Sequence, residues 1–407
     1  MKYITAIDLG SQSIKGAIAK YGGRDLQVLA IAEQPSEGIR RGVVVHIEEA
    51  ANSIAKVLET LSNISGIRPR EVYVGFGDPQ ISVRETRGTV IVSRADQEIS
   101  EEDVTRVFQA AEMAHVPQNK EVLHLIPREF IVDGEGGVKD PVGMKGLKLE
   151  VRALLIEGFL PFIKNLQKAF ELCGIEVRGM VFAPLAASRA VLGKRQRELG
   201  SLMIDIGGTT TGLVVYEDGE IVHAHVLPIG SSHITNDIAI NFKLQFDMAE
   251  KLKLEYGASL PSLISKKEVI NFEEMGIDLQ NISRRNLSEI INRRIKDILK
   301  HVQKELKSVD RHAGFPGGVI LTGGGARIPL IVDLIKKEMK LPAQIGFPEG
   351  VTGLIEKFDD PRLAGITGLL LWASDFREGD YKRGVVAHDF TGGMTHFVKK
   401  LIKNILP

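Results

Sequence analysis

One pattern occurs at two places about half a chain length apart, and this repeat limits the possible folds more than any other feature. Residues 4–19 read ITAIDLGSQSIKGAIA, and residues 201–216 read SLMIDIGGTTTGLVVY. Each is an apolar strand, then Asp-x-Gly, then a run of hydroxyl residues, then a second apolar strand. A Gly-containing turn between two such runs predicts a hairpin. Two copies in matching positions predict two related halves, each opening with the same hairpin. Helix-like periodicity follows at 46–61, 162–172 and 184–192 in the first half, and at 231–242, 247–256, 287–307 and 330–339 in the second. Strand-like runs lie at 71–77, 177–182, 222–227 and 318–321. Alternating strands and helices predict α/β layers, with each sheet covered on both faces.

At 407 residues the chain has room for two to four domains of about 100–200 residues each. Two stretches interrupt the halves. Residues 82–161 carry strand patterns (81–85, 89–93, 122–132 and 148–156) around one helix at 101–115, a small α+β module. Residues 236–306 are helix-rich. The expected segmentation is a first lobe of 1–81 and 162–195, with 82–161 inserted. The second lobe is 196–235 and 307–373, with 236–306 inserted. Residues 374–393 turn polar and Gly-containing, as a linker does, and 394–407 form a terminal helix.

Lys+Arg and Asp+Glu are equal at 52 each, so overall charge gives no reason to expect nucleic acid. The single cysteine, Cys173, ends an apolar helical pattern and reads as packing, in keeping with a reducing compartment. The N-terminus opens into a strand pattern without the layout of a signal peptide. No run reaches the ~18–20 apolar residues of a spanning helix. The expected location is the cytosol.

Phosphates call for backbone N–H donors at close approach, hydroxyl donors and a cation. The first hairpin supplies Gly10, Ser11, Ser13 and Lys15 directly after a strand; the second supplies Gly207, Gly208, Thr209 and Thr210. Asp8 and Asp205 would face each other across a cleft, a pair suited to Mg²⁺ that keeps several of its waters. A third loop, Leu321-Thr-Gly-Gly-Gly-Ala-Arg327, lies between a strand and a helix pattern. Its glycines Gly323, Gly324 and Gly325, with Arg327 after them, would let a flat base and ribose lie on the backbone.

The order Asp8–Lys15, Asp205–Thr211, Gly323–Gly325 resembles the phosphate-1, phosphate-2 and adenosine motifs of the actin/sugar-kinase/DnaK superfamily. That resemblance implies an actin-like two-lobed fold with ATP and Mg²⁺ between the lobes. It also implies that Glu250 and Lys253 flank the ribose and adenine. Where many relatives carry a water-orienting Glu, this chain has Ala183, so any hydrolysis should be slow, with Asp205 the one acidic candidate in the cleft motifs. Residues 122–151, with His124-Leu-Ile-Pro127 and the Asp140-Pro-Val-Gly143 turn, are similar to the inserted 1C domain of the FtsA family of bacterial actin-like division proteins. The segments 321–330 and 360–370 fit the same family. Its membership implies self-polymerisation and tethering of the FtsZ ring to the cytoplasmic membrane. It also places Arg294, in LSEIINRRIKDI, at the C-terminal peptide of FtsZ. The alternatives are a scaffold like PilM of pilus assembly platforms and a small-molecule kinase of the superfamily.

Residues 394–406 read MTHFVKKLIKNIL. On a wheel of ~100° per residue with Phe397 at zero, Val398, Leu401, Ile402, Ile405, Leu406 and Met394 fall between about 40° and 180°. Lys399, Lys400, Lys403, His396 and Asn404 occupy about 200° to 340°. No Asp or Glu follows Asp389. Complete separation with a basic polar face predicts a helix lying on anionic lipid.

Overall fold

A computed structural model describes residues 2–22, 25–113, 117–272, 281–308, 314–353, 359–378 and 386–387. The first repeat forms a hairpin of β1 (Lys2–Leu9) and β2 (Ser13–Gly22), with Asp8 opposite Lys15. A third strand, β3 (Asp25–Pro35), runs antiparallel to β2 and sets Glu33 opposite Lys15. Helix α1 (Ile47–Ser65) covers these strands with Ile54, Val57 and Leu61. It runs one turn past the predicted 46–61 and stops at Gly66, whose φ of 71° and N–H bond to the Ser62 carbonyl end the helix. Strand β4 (Glu71–Phe76) then returns parallel to β1.

The inserted module is a sheet of β5 (Ser82–Ile91), β6 (Lys120–Val132), β7 (Glu135–Val138) and β8 (Lys148–Phe159), packed against α2 (Glu101–Met113). The strands expected at 81–85 and 89–93 are one continuous strand. Gly88 marks a close approach: a Cβ there would lie 2.1 Å from the Val107 carbonyl oxygen, and α2 rests on the bare backbone. α2 begins with a reciprocal cap, Ser100 N–H to the Asp103 carboxylate at 2.9 Å and Asp103 N–H to Ser100 Oγ at 3.3 Å.

The first sheet is completed through α3 (Leu160–Leu172) by β9 (Glu176–Phe182), giving the order β9-β4-β1-β2-β3. Helix α4 (Ala183–Val191) leads to the second half. There β10 (Ser201–Ile206), β11 (Thr211–Glu217) and β12 (Glu220–Leu227) form a second antiparallel meander. Helices α5 (Ser231–Phe242), α6 (Phe246–Tyr256) and α7 (Arg284–Ser308) follow. β13 (Val319–Thr322), α8 (Ile331–Met339) and β14 (Ala343–Ile345) finish a sheet ordered β12-β11-β10-β13-β14. The two sheets share one topology, three antiparallel strands and then two parallel ones, so the repeat seen in two hairpins extends to both lobes.

Two helices lie between the lobes. α4 touches strands of both sheets, and α9 (Ala364–Glu378) packs on β1, β2, β3 and β4 as well as along α4. They meet backbone to backbone, since a Cβ on Gly368 would sit 1.7 Å from the Ala186 carbonyl oxygen. The second-lobe segment 307–373 therefore ends in a helix that by packing belongs to the first sheet. An apolar run such as Gly368–Ala373, buried on several sides, carries no period that names its partner. The stretch expected as a linker from 374 opens with the end of α9 and contains β15 (Val386–Ala387), which pairs with His124 and Leu125 of β6.

Candidate functional site

Each meander carries an aspartate next to the last residue of its first strand, Asp8 on β1 and Asp205 on β10. Burial pushes the Asp8 carboxyl above its ordinary value, with Lys15 drawing it back. Asp205 is pushed up to about 6, by burial first and then by the charge of Asp8, against the pull of Lys15. The two carboxylates thus feel one another across the space that Lys15 shares. Among the described residues no group of three or more His, Cys, Asp or Glu could hold a metal ion. A cation here would rest on this pair and on water, which is the habit of Mg²⁺.

The first turn is tightly wired. Ser11 Oγ accepts the Gly42 N–H at 3.1 Å. Lys15 Nζ donates to Ser13 Oγ at 3.0 Å, and Ser13 donates in turn to Glu33 at 2.6 Å. In the second turn, Gly207 N–H bonds the Thr210 carbonyl at 2.9 Å. The Gly207 and Gly208 carbonyls accept the Ser231 and Ser232 N–H groups at the start of α5, at 2.8 and 2.7 Å. The Thr209 hydroxyl is buried and has no hydrogen-bond partner among the described residues. Gln12 spans the two turns, donating to Ser232 Oγ at 2.9 Å.

The third loop adjoins the second hairpin at Asp205 and Ile206. Gly323 has a φ of +80°, and a Cβ there would lie 2.1 Å from Asp205 Oδ1, so the fold itself requires this glycine. Gly324 differs: a Cβ there would meet only Arg362 Cγ, at 3.9 Å. Gly324→Val should therefore melt within about 1 kcal/mol of the parent, as an open-site substitution does. The same variant should lose at least about tenfold in nucleotide affinity through lost close approach. Fluorescent-nucleotide titration beside a thermal melt checks this; equal affinities would remove the loop from the site.

Of the other expected residues, Glu250 and Lys253 turn to each other, with Lys253 Nζ 2.6 Å from the Glu250 carboxylate and 2.9 Å from Thr235 Oγ1. Burial lowers the lysine's proton affinity and Glu250 restores part of it. They brace α6 against the start of α5, where Lys253 also reaches the Ser231 carbonyl at 3.5 Å. Arg327 is exposed, 4.0 Å from Asp360. Arg294 belongs to a different set. It grips Asp237 through Nε and Nη2 at 2.7 and 2.8 Å, and Asp297 through Nη1 at 3.0 Å. It lines a cavity of about 240 Å³ with Leu227, Pro228, Ile229, His233, Asp297 and His301. Phe397, Val398, Lys399, Lys400, Leu401, Ile402, Lys403, Ile405 and Leu406 lie outside the described residues.

Gln12, Glu33, Ser232, Asp360 and Arg362 complete the cleft and were not singled out from the sequence. Only Glu33 left a signal, as the residue opposite Lys15 had β3 been recognised. Two raised carboxylates, an unpartnered hydroxyl and an open glycine together fit a magnesium nucleotide. No side chain near Ala183, the first residue of α4, supplies the missing water-orienting acid by sequence position.

A family model described as cell division protein FtsA matches residues 202–368, and one described as the SHS2 domain inserted in FtsA matches residues 79–157. The FtsA of Borreliella burgdorferi is 36% identical over 372 residues, 91% of this chain and 90% of that protein. The FtsA of Bacillus subtilis is 33% identical, covering 84% of this chain and 78% of its own length. Among solved structures, a PilM–PilN type IV pilus biogenesis complex matches with a TM-score of 0.65 at 17% identity, over 91% of this chain and 98% of that one. MreB5 of Spiroplasma citri bound to ADP matches with a TM-score of 0.54 at 13% identity, over 93% and 99%. These structural likenesses establish the actin-like fold.

Proposed function

Because the chain belongs to the FtsA family of cell division proteins, we propose that it binds ATP between its lobes and tethers FtsZ filaments to the inner face of the cytoplasmic membrane at the division site. The observation that supports this most is the pair of matched hairpins, which bring Asp8 and Asp205 together beside Lys15. Lys15, Ser13, Thr209 and the turn backbones would hold phosphates, and Gly323–Gly325 the base. Asp8 and Asp205 would orient water on Mg²⁺, which when bound would screen the phosphate charge. With Ala183 in place of an acid, turnover is slow and ATP acts chiefly to set self-polymerisation.

The 394–407 segment supplies the membrane contact in this account. Lysines near an anionic leaflet contribute about 1 kcal/mol each, so one helix is a reversible anchor and several in a filament hold firmly. No described helix is long and apolar enough to cross a membrane. Liposome co-sedimentation with and without residues 394–407 tests this part.

The FtsZ tail is proposed to meet Arg294. A carboxylate there would have to share the guanidinium with Asp237 and Asp297. A charge-assisted contact contributes about 1.5–3 kcal/mol, so Arg294→Glu should weaken an acidic FtsZ tail peptide by about tenfold or more with ATP affinity intact. Asp237→Asn should strengthen the same peptide by releasing the arginine. Calorimetry with both variants decides, and equal peptide affinities in all three proteins would move the contact elsewhere.

A further inference from the structure

The geometry points to Glu33 as a resident counter-anion that occupies the phosphate-binding lysine until a nucleotide displaces it, and so as a residue that sets nucleotide affinity and the preference for ATP over ADP. This rests on the cleft being a nucleotide site. Glu33 stands directly across from Lys15 in the β2–β3 pairing, so strand register holds the two on one face. Its Oε1 accepts the Ser13 hydroxyl at 2.6 Å and lies 3.6 Å from Lys15 Nζ. Those are two of the groups that the first turn offers to phosphate.

The other oxygen, Oε2, is 3.7 Å from Nη1 of Arg362. Arg362 is itself bound to Asp360 through Nε at 2.8 Å, and Asp360 is within 4.0 Å of Arg327. Charges thus alternate Lys15, Glu33, Arg362, Asp360, Arg327 from the phosphate turn to the glycine loop. Burial alone raises the Glu33 carboxyl, but the Ser13 bond and the two cations outweigh it and hold it below its ordinary value. The group is an anion at neutral pH. It remains 38% exposed, so its pairing with Lys15 contributes little to stability, which leaves it free to be exchanged.

An anion fixed beside a polyphosphate site has two effects with the same sign. It engages Lys15, and it repels the incoming charge, ATP more than ADP. Arg362 opposes both by drawing Glu33 toward the glycine loop. A structural brace would behave differently, because removing it would misplace Lys15 and weaken every nucleotide.

The test is calorimetric titration of the full chain with Mg-ATP and Mg-ADP at low and high salt. Glu33→Gln should bind Mg-ATP about 5–20-fold more tightly than the parent, with a smaller gain for Mg-ADP, and the gain should shrink at high salt. Arg362→Gln should shift affinity the opposite way. Combining Glu33→Gln with Lys15→Met should cut the gain to the part due to direct repulsion, since the other part acts through the lysine. Weaker or unchanged Mg-ATP binding by Glu33→Gln, with an unchanged melting temperature, overturns the inference while the nucleotide site stands. If Glu33→Gln loses stability, Arg362→Gln becomes the deciding variant, and tighter binding by it likewise overturns the inference. Absence of binding by the parent chain would instead sink the nucleotide reading itself.

Discussion

The variant Leu401→Glu/Ile405→Glu should remain folded and nucleotide-binding yet stay in the supernatant with anionic liposomes. Both residues lie near the middle of the apolar arc of the 394–406 helix pattern. A fully buried Leu or Ile side chain contributes about 1.5–3 kcal/mol, and shallow insertion yields part of that. Two glutamates would also set charge against the lipid. The combined change should exceed what one reversible anchor supplies, a loss on the order of 100-fold. Changing Lys399, Lys400 and Lys403 to Gln should weaken binding only partly, most visibly at low salt. Wild-type sedimentation of the double-Glu variant would mean that the segment packs elsewhere.

Asp205→Asn should remove the magnesium-dependent part of ATP binding, a loss of about 100-fold or more, because Asp205 is one of the paired hairpin carboxylates and no group of three or more ligating side chains among the described residues would replace it. The pH dependence follows from the same residue. Its carboxyl is raised from 3.8 to about 6 by burial and by Asp8, so Mg-ATP affinity should fall as pH drops through 6. The stability effect has the opposite sense. A raised folded-state value favours the folded chain below about 4, and that contribution is lost as pH rises through 6. At neutral pH the ionised Asp205 therefore costs the nucleotide-free protein stability. Asp205→Asn should melt higher than the parent while losing nucleotide, and adding Mg-ATP should raise the melting temperature of the parent alone. A lower melting temperature in the Asn variant, with affinity retained, would remove Asp205 from the site.

What could be read from the sequence was whatever is carried by contiguous residues. The Asp-x-Gly hairpins fix their own pairing, Asp8 with Lys15 and Asp205 with Gly212, because a tight turn dictates register. In the triple-glycine loop the fold requires Gly323 but leaves room for a side chain at Gly324, a distinction that only the packing reveals. The rest depends on segments meeting across the chain. Gln12 and Ser232 are 220 positions apart, and Arg362 reaches Glu33 only because α9 folds back onto the first sheet. Arg294 shows the converse. Its place on a helix was legible, but its pairing with Asp237 depends on how α5 packs against α7. The edge strand β15 carries no turn signal or long apolar run, so its pairing with β6 appears only in three dimensions.

The most direct test of the tether is a three-component sedimentation. FtsZ filaments, anionic liposomes and this protein are mixed with Mg-ATP, and FtsZ is measured in the lipid fraction. FtsZ should be recovered with the liposomes when the full chain is present. Recovery should fall to the lipid-free background when residues 394–407 are removed or when Arg294 is changed to Glu. Equal recovery of FtsZ with the full chain and with the chain lacking 394–407 would contradict the account.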